Sequence, residues 1–451
     1  MFRLFRHLIP SGVVILLVSE AGLLATCYAA ACYLLVAVDP AVFLIYDRGW
    51  ARILLAVGSI QAGLYFHDLY SDLRVRSKMV LLQQCVQVLG IAFLAQALVS
   101  YARSEWILPR WVMMSGSGLA LVTLYGWRLI YSSVVLGAMG GVRVLLLGSS
   151  CLVAEIARHI AERPQLGLNL VGCYGDEDVN GPRLLELVKE TQPDQIVLGV
   201  RERRGRLPLE ELLQLRFAGI QIEEAASAFE AICGRVALAE LHPARLIFSQ
   251  DLGPHPARVT LQSLYSTLLA IVGTVLTLPI MILAALAVKL SSRGPVLFRQ
   301  PRVGRHGRVF VLYKFRSMYH DAEAHTGPVW TTPDDPRVTP VGRWLRRLRL
   351  DELPQFFNVL RGDMALVGPR PERPEFVEVL AQQIPYYRQR HCVKPGITGW
   401  AQINHKYGDT VEDAIRKLEY DLYYIKNLSP ALDAYIIFHT LKTMLLSRGA
   451  Q

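Results

Sequence analysis

Apolar residues dominate four stretches in the first third of the chain, at about Val13–Val38, Ala51–Phe66, Met79–Ser100 and Trp111–Leu136. A helix crosses a hydrocarbon core with roughly 20 apolar residues, so these stretches predict a four-helix transmembrane bundle over residues 1–138, the second stretch being the shortest. At Gly141 the pattern changes. VRVLLLGSS reads as a buried strand ending in glycine, CLVAEIARHIAERP as a helix, NLVGCYGD as a strand, GPRLLELVKETQP as a helix and DQIVLGV as a third strand. This alternation predicts a parallel sheet with crossover helices, a Rossmann-like domain over residues 139–252. A second apolar block, Leu261–Leu290, opens a third region at 258–451 and carries Pro279 in its middle.

Basic residues orient the bundle. Arg3 and Arg6 precede the first stretch, and Arg74, Arg76 and Lys78 lie between the second and third; the other two connections carry fewer cations, Arg48 and then Arg103 and Arg110. The positive-inside rule places the amino terminus, the middle loop and everything after the fourth stretch in the cytoplasm. Glu20 and Arg128 fall inside apolar stretches, where ionisable groups are costly, and mark either a lipid or partner site or a pair within the bundle. If Leu261–Leu290 spanned the membrane, the rest of the chain would lie outside. Pro279 removes a backbone hydrogen bond and kinks a helix, and a kinked helix that enters and leaves by one face keeps the third region cytoplasmic. A reentrant helix is the expectation, with Pro279 at its break and a plain fifth span as the alternative.

The candidate chemistry gathers in Arg346–Pro371, RRLRLDELPQFFNVLRGDMALVGPRP. Arg346, Arg347 and Arg349 run up to the adjacent carboxylates Asp351 and Glu352. Leu353, Phe356, Phe357 and Leu360 follow at helical spacing. Pro354 is tolerated only in a first turn, so the helix is expected to begin at or just after Asp351. Both acids would then sit at the positive end of a helix dipole beside guanidinium groups, and both effects favour the ionised carboxylate. Such an Asp suits attack on phosphorus or the holding of a metal; helix capping is the plainer role.

Composition narrows the classes. The 451 residues leave room for two or three domains, and 52% are hydrophobic with a net charge of +10, which suits an anionic partner such as a membrane surface or phosphates. Seven scattered cysteines without a C-x-x-C pair support neither a disulfide framework nor a zinc site. The glycine loop after the first predicted strand keeps Gly148 but has Ser150 and Val153 where G-x-G-x-x-G needs glycine. A domain used for regulation or assembly fits that loop better than dinucleotide binding. Between Arg293 and Arg349 twelve Lys/Arg face four acids, Asp321, Glu323, Asp334 and Asp335. No RRM pattern or helix-turn-helix accompanies them, so lipid phosphates, and a diphosphate at Lys314 and Arg316, are the expected partners rather than nucleic acid.

SSRGPVLFRQPRVG, YKFRSM, LRLDELPQFFNVLRGDMALVGPRPERPEF, KPGITGWAQIN and LEYDLYYIKN, in that order, resemble the bacterial sugar transferase family, the monotopic polyprenyl-phosphate phosphoglycosyl transferases. The match covers about Leu261–Leu446, and with the bundle and the middle domain the whole chain resembles the large form of that family. The resemblance implies a membrane protein of α plus α/β class: a four-helix transmembrane bundle, a Rossmann-like domain and a monotopic catalytic domain on a reentrant helix. It implies transfer of a sugar 1-phosphate from a UDP-sugar to undecaprenyl phosphate at the bacterial inner membrane, with release of UMP, as the first membrane step of exopolysaccharide, capsule or O-antigen synthesis.

Carried over by position, Asp351 would be the nucleophile and Glu352 its partner, the two acids holding Mg²⁺. Lys314, Arg346 and Arg370 would be cations near the phosphates, while Asp421 and Asp433 match acids of the carboxyl-terminal part. Lys406 stands where some small members have arginine, and Leu278 stands before Pro279 where many have serine. Asp433 could equally cap the last helix. Screening several negative charges with Mg²⁺ and arginine forks agrees with such a transfer. A dimer held by the bundle is open. Two other readings are an inactive polyprenyl-lipid-binding scaffold, against which the intact D-E pair and G-P-R-P speak, and a membrane-anchored dinucleotide enzyme, against which the broken glycine loop speaks.

Overall fold

Long apolar runs form long helices, as expected for segments whose polar backbone must be satisfied internally. The computed structural model describes all residues except 1, 5–6, 10, 37–38, 68, 71–72, 74, 76–77, 136–140, 164–165, 201–206, 239–252, 320–321, 323–334, 406–407, 409 and 446–451. The chain divides into two units, Met1–Ala228 and Phe229–Gln451.

In the first unit a short antiparallel pair, β1 (Phe2–Leu4) and β2 (His7–Ile9), leads into α1 (Ser11–Leu35), α2 (Pro40–Ile45), α3 (Gly49–Phe66), α4 (Lys78–Ala102) and α5 (Arg110–Ile130). α1 packs against α5 and α3, and α4 against α3 and α5, around Tyr28, Ile53, Ile60, Val88 and Leu124. Among the described residues four helices are long and apolar enough to cross a membrane: Gly12–Leu35, Lys78–Val99, Arg110–Val135 and, in the second unit, Pro256–Ser291. α3, which holds the expected second span, is not among them. Its 18 residues reach about 27 Å at 1.5 Å each, and Arg52 and Gln61 lower its apolarity. Glu20 and Arg128 meet inside this bundle: Arg128 Nε lies 2.7 Å from Glu20 Oε1, Tyr70 OH donates to Glu20 Oε2 at 2.6 Å, and Arg128 Nη1 donates to Leu69 O at 2.9 Å. Of the two roles expected for these residues, mutual pairing is the one observed.

The same unit contains the parallel sheet. β3 (Val142–Leu147), α6 (Cys151–Glu162), β4 (Leu168–Tyr174), α7 (Gly181–Thr191) and β5 (Gln195–Leu198) alternate as the hydrophobic pattern predicts, and α8 (Leu209–Phe217) and β6 (Gln221–Glu224) continue the alternation beyond the expected elements. Their order in space is β4-β3-β5-β6, all parallel. The third strand therefore lies beside the first, the flavodoxin-like doubly wound order and not the 3-2-1-4 order of the dinucleotide fold. Gly148 sits at φ +122°, and a Cβ there would fall 2.4 Å from the Gly199 backbone, so glycine is needed for close strand approach. The amide of Ser149 donates to Asp176 Oδ1 at 2.7 Å, and Ser150 Oγ accepts from Leu152 N at 3.1 Å to cap α6. The chain's own side chains thus take donors that a phosphate would need.

α9 (Ala225–Cys233) crosses the boundary between the units. In the second unit the chain after it is followed by α10 (Pro256–Ser291), the antiparallel hairpin β7 (Leu297–Val303) and β8 (Val309–Phe315), α11 (Pro340–Arg347), α12 (Gln355–Arg361), β9 (Ala365–Val367), α13 (Pro374–Gln383), β10 (Gly396–Thr398), α14 (Trp400–Asn404), α15 (Val411–Lys426) and α16 (Pro430–Leu445). β9 and β10 pair in parallel. α10 is continuous through Pro279. Its buried positions Gln262, Ser266, Ala270, Met281, Ala284 and Val288 form one stripe against the domain, whereas none of the ten residues 271–280 is buried.

The second unit begins before residue 258. Arg235 Nη1 pairs with Glu419 Oε2 at 2.8 Å, Leu238 N donates to Glu419 Oε1 at 3.2 Å, Trp400 Nε1 donates to Gly234 O at 2.7 Å, and Lys426 Nζ meets Glu230 Oε2 at 2.6 Å. Residues 229–238 are thereby fastened to α14 and α15. Arg235 and Glu419 are each 8% exposed, and removing one partner of a buried pair leaves the other uncompensated at a cost of about 3–5 kcal/mol. Arg235→Met in the full chain is expected to lower unfolding stability by about that amount. Thermal or denaturant unfolding of the purified protein measures it, and an unchanged transition would show that the segment is not integral.

Candidate active site

β8, the turn before α12 and the loop after β9 bring the charged groups together. Tyr313 N donates to Asn358 Oδ1 at 3.0 Å and Asn358 Nδ2 donates to Val311 O at 2.7 Å, so one buried amide side chain ties α12 to the outer edge of β8. Behind this, Thr339 Oγ1 accepts from Gly342 N at 2.9 Å and caps α11. Gly342 is required there: a Cβ would fall 1.9 Å from Ser317 O. α11 can therefore lie directly on Ser317, whose Oγ accepts from Arg346 Nε at 2.8 Å.

Asp351 and Glu352 occupy a short 3-10 turn, Leu350–Glu352, entered through Arg349 at φ +54°. Left-handed backbone is uncommon for a residue with a side chain and carries strain. The regular helix begins only at Gln355, with Pro354 as its N-cap. The carboxylates thus precede the helix by a turn, later in onset than the Pro354 spacing suggests, because proline here closes the 3-10 turn before the helix starts.

Lys314 Nζ and Arg370 Nη2 both meet Glu352 Oε1, at 3.1 and 3.0 Å. Burial alone would raise the Glu352 carboxyl, but Lys314, Arg370 and Arg349 together outweigh it and hold the group well below the usual carboxylate range. Asp351 is 8% exposed, and among the described residues neither of its oxygens receives a hydrogen bond. Burial is the largest influence and pushes it up to about 6, against Lys314, Arg346 and Arg370, with Glu352 adding repulsion. The expectation that cations and helix dipole dominate Asp351 is corrected by this burial. The two neighbours are driven apart, Glu352 held as an anion well below the usual range and Asp351 raised to about 6, still ionised at neutral pH.

The other expected site residues fall elsewhere. Arg316, 5% exposed, donates from Nη2 to Ser292 O at 2.7 Å and Ser292 Oγ at 2.8 Å, gripping the carboxyl end of α10, where a cation complements the helix dipole. Asp421 pairs with Arg390, Oδ2 accepting from Nε at 3.0 Å and Nη2 at 2.7 Å; burial pushes it to about 6, against Arg390. Asp433 is fully buried and accepts from Gln262 Nε2 at 2.8 Å, from Tyr424 OH at 2.7 Å and from Tyr265 OH. Its burial raises its carboxyl, against the hydrogen bonds from Tyr265, Gln262 and Tyr424. Ser429 Oγ accepts from Leu432 N at the start of α16, so Asp433 is the hub linking α10, α15 and α16 and not a cap. Lys406 lies outside the described residues.

Asn358, Arg390 and Glu419 went unmarked in the sequence. Nothing in the local sequence around each distinguishes it, and only the fold supplies its partner.

No cluster of three or more metal-ligating side chains occurs among the described residues. The donor set nevertheless fits Mg²⁺, which is commonly held by one or two carboxylates together with substrate phosphate oxygens. Asp351 has both oxygens free of hydrogen bonds among the described residues, and the cations on Glu352 share its Oε1.

A family model described as bacterial sugar transferase matches residues 257–447. The chain is 44% identical over 240 residues, 53% of its length and 56% of the relative's, to a UDP-N-acetylgalactosamine-undecaprenyl-phosphate N-acetylgalactosaminephosphotransferase of Aeromonas hydrophila. It is 39% identical over 319 residues, 68% of its length and 60% of the relative's, to an undecaprenyl-phosphate glucose phosphotransferase of Komagataeibacter xylinus. It is 36% identical over 318 residues, 68% of each chain, to a UDP-glucose:undecaprenyl-phosphate glucose-1-phosphate transferase of Escherichia coli (strain K12). The protein belongs to the bacterial sugar transferase family. Its aligned part spans less than two thirds of the length of the first two relatives.

In metal-free buffer the Asp351 carboxylate is expected to titrate near pH 6: protonated below, ionised above. Lys314 favours the ionised form, so Lys314→Gln should move the midpoint upward. Carbon-13 NMR of aspartate-labelled protein, assigned by Asp351→Asn, reads both values; a midpoint at or below 4 would refute the account of burial.

Proposed function

We propose that this protein transfers a sugar 1-phosphate from a UDP-sugar to undecaprenyl phosphate and releases UMP through a covalent intermediate on Asp351. The observation that carries the reading is the divided carboxylate pair. Glu352 is locked by Lys314 and Arg370, while Asp351 beside it takes no hydrogen bond from a described residue. The names of the relatives supply the substrate class, glucose or N-acetylgalactosamine on an undecaprenyl carrier.

In the first step an ionised Asp351 oxygen attacks the sugar-proximal phosphorus, and the bond from that phosphorus to the oxygen bridging to UMP breaks. UMP leaves with the bonding pair. In the second step a phosphate oxygen of undecaprenyl phosphate attacks the same phosphorus and the Asp351 carboxylate departs, giving the lipid diphosphate sugar. Lys314, Arg346 and Arg370 surround this position with positive charge where charge shifts onto the leaving group. Mg²⁺ on Asp351 and Glu352 would neutralise donor phosphate oxygens. Splitting the transfer this way produces ping-pong kinetics.

The route of the lipid follows α10. Its 36 residues would extend about 54 Å if straight, far beyond the roughly 30 Å core of a bilayer. Both ends of its buried stripe rest on the same domain, and the unburied stretch 271–280 with Pro279 suits a helix that dips into one leaflet and returns. A helix of that kind would hold the catalytic domain at the cytoplasmic face of the inner membrane and bring the lipid phosphate to Asp351 from the side. A Ser291→Cys substitution should react with an impermeant maleimide only from the cytoplasmic side of membrane vesicles; labelling from the opposite side would establish a plain span.

The chemistry is tested by omitting the lipid. UDP-glucose or UDP-N-acetylgalactosamine with Mg²⁺ alone should give a burst of UMP close to one per active site. A sugar-phosphate mass should appear on the peptide containing Asp351 and be lost in Asp351→Asn. Normal lipid-dependent turnover with neither burst nor adduct would leave direct in-line transfer in its place.

A further inference from the structure

The loop Gly368–Glu372 carries Arg370 to Glu352, and its sequence leaves it short of ways to hold itself. Pro369 and Pro371 have no N–H. Yet its four consecutive carbonyls are all bound. Pro369 O accepts from Gly396 N at 3.0 Å and Glu372 O from Val303 N at 2.9 Å. Arg370 O accepts from Arg390 Nη2 at 3.1 Å, and Pro371 O from Arg302 Nη1 at 3.1 Å. The two central bonds come from side chains.

Proline fixes φ at 369 and 371, and a residue before proline is confined to extended backbone. The freedom left at Arg370 is rotation about ψ of Pro369 and its own φ, which together swing the peptide plane between Arg370 and Pro371. That plane has one hydrogen-bonding group, the Arg370 carbonyl, and Arg390 holds it. Arg390 is itself held at every nitrogen. It is 5% exposed, and Nε and Nη2 fork onto Asp421 Oδ2 at 3.0 and 2.7 Å, while Nη1 donates to Tyr387 OH at 2.8 Å.

We propose that Arg390, aimed by Asp421 and Tyr387, is a positioning residue that sets the Arg370 peptide plane and so keeps the Arg370 guanidinium on Glu352 beside Asp351. Buried ion pairs give little net stability against well-packed apolar residues; what an apolar replacement could not supply is a donor for the Arg370 carbonyl. Arg390 and Asp421 act through Arg370 and do not touch the donor. This rests on the reading of Arg370 as a cation facing the donor diphosphate.

The test uses the full chain in detergent, with whichever of UDP-glucose and UDP-N-acetylgalactosamine turns over, undecaprenyl phosphate and UMP release as the signal. Arg390→Lys keeps the charge and loses the fork. Asp421→Asn keeps the volume and serves should Arg390→Lys fail to fold. Misplacing a catalytic group by about 1 Å can cost on the order of 100-fold, so kcat is expected to fall about 10- to 100-fold with KM changed less than about threefold. In an Arg370→Ala background neither substitution should reduce kcat further, since residues acting through one group are non-additive.

Losses that multiply with that of Arg370→Ala, or wild-type kcat in both variants, would overturn the positioning role while the reading of Arg370 stands. Arg370→Ala with undiminished kcat and KM would overturn that reading and the positioning role with it.

Discussion

A single carboxylate oxygen, Glu352 Oε1, receives both Lys314 and Arg370, and the rest of the second unit is arranged around this largely buried meeting point. The two cations come from different strand ends. Lys314 lies on β8, whose outer edge is tied to α12, and Arg370 follows β9 on a proline-flanked loop. Bringing them together commits the contacts of both cations to Glu352, while Asp351, one residue earlier, takes no hydrogen bond from a described residue. Two adjacent carboxylates of the same kind thus acquire different protonation behaviour from their surroundings.

Around that centre the packing serves two tasks. α11 and the Ser317 backbone, pressed together at Gly342, fix Arg346. Gln262, Tyr265, Tyr424 and Asp433 join α10 to α15 and α16 through hydrogen bonds to one buried carboxylate. The membrane-facing helix is therefore coupled to the same framework that carries Arg370, since Gln262 Nε2 also donates to Val367 O, just ahead of the loop. A polar network at full burial is demanding of geometry, and here it sets the depth at which the helix meets the domain.

The sequence made the architecture legible where a pattern repeats over many residues. The long apolar runs, the strand–helix alternation after Gly141 and the D-E pair all read directly, because burial imposes period and length. What it could not show was partnership. Asp421 and Asp433 read as site acids, yet each is committed inside the fold, to Arg390 and to a tyrosine–glutamine network; no spacing encodes contacts between residues so far apart in the chain. The beginning of the second unit was hidden for the same reason, since residues 229–238 look like the tail of the preceding sheet domain until Glu419 and Trp400 are seen beneath them. The upward push on Asp351 was hidden because charge can be counted in a sequence and burial cannot. The order of the parallel sheet was likewise invisible, since alternation is common to every doubly wound fold.

The amide of Asn358 has a consequence for the protein's behaviour in company. β7 and β8 form a two-stranded ribbon, and the outer edge of such a ribbon offers its amides and carbonyls to any passing strand. By bonding Tyr313 N and Val311 O, the Asn358 side chain occupies part of that edge as a strand would, but ends after one residue and cannot be extended. On a membrane surface, where diffusion in two dimensions raises the frequency of collisions between neighbours, this makes the ribbon a poor template for runaway strand addition.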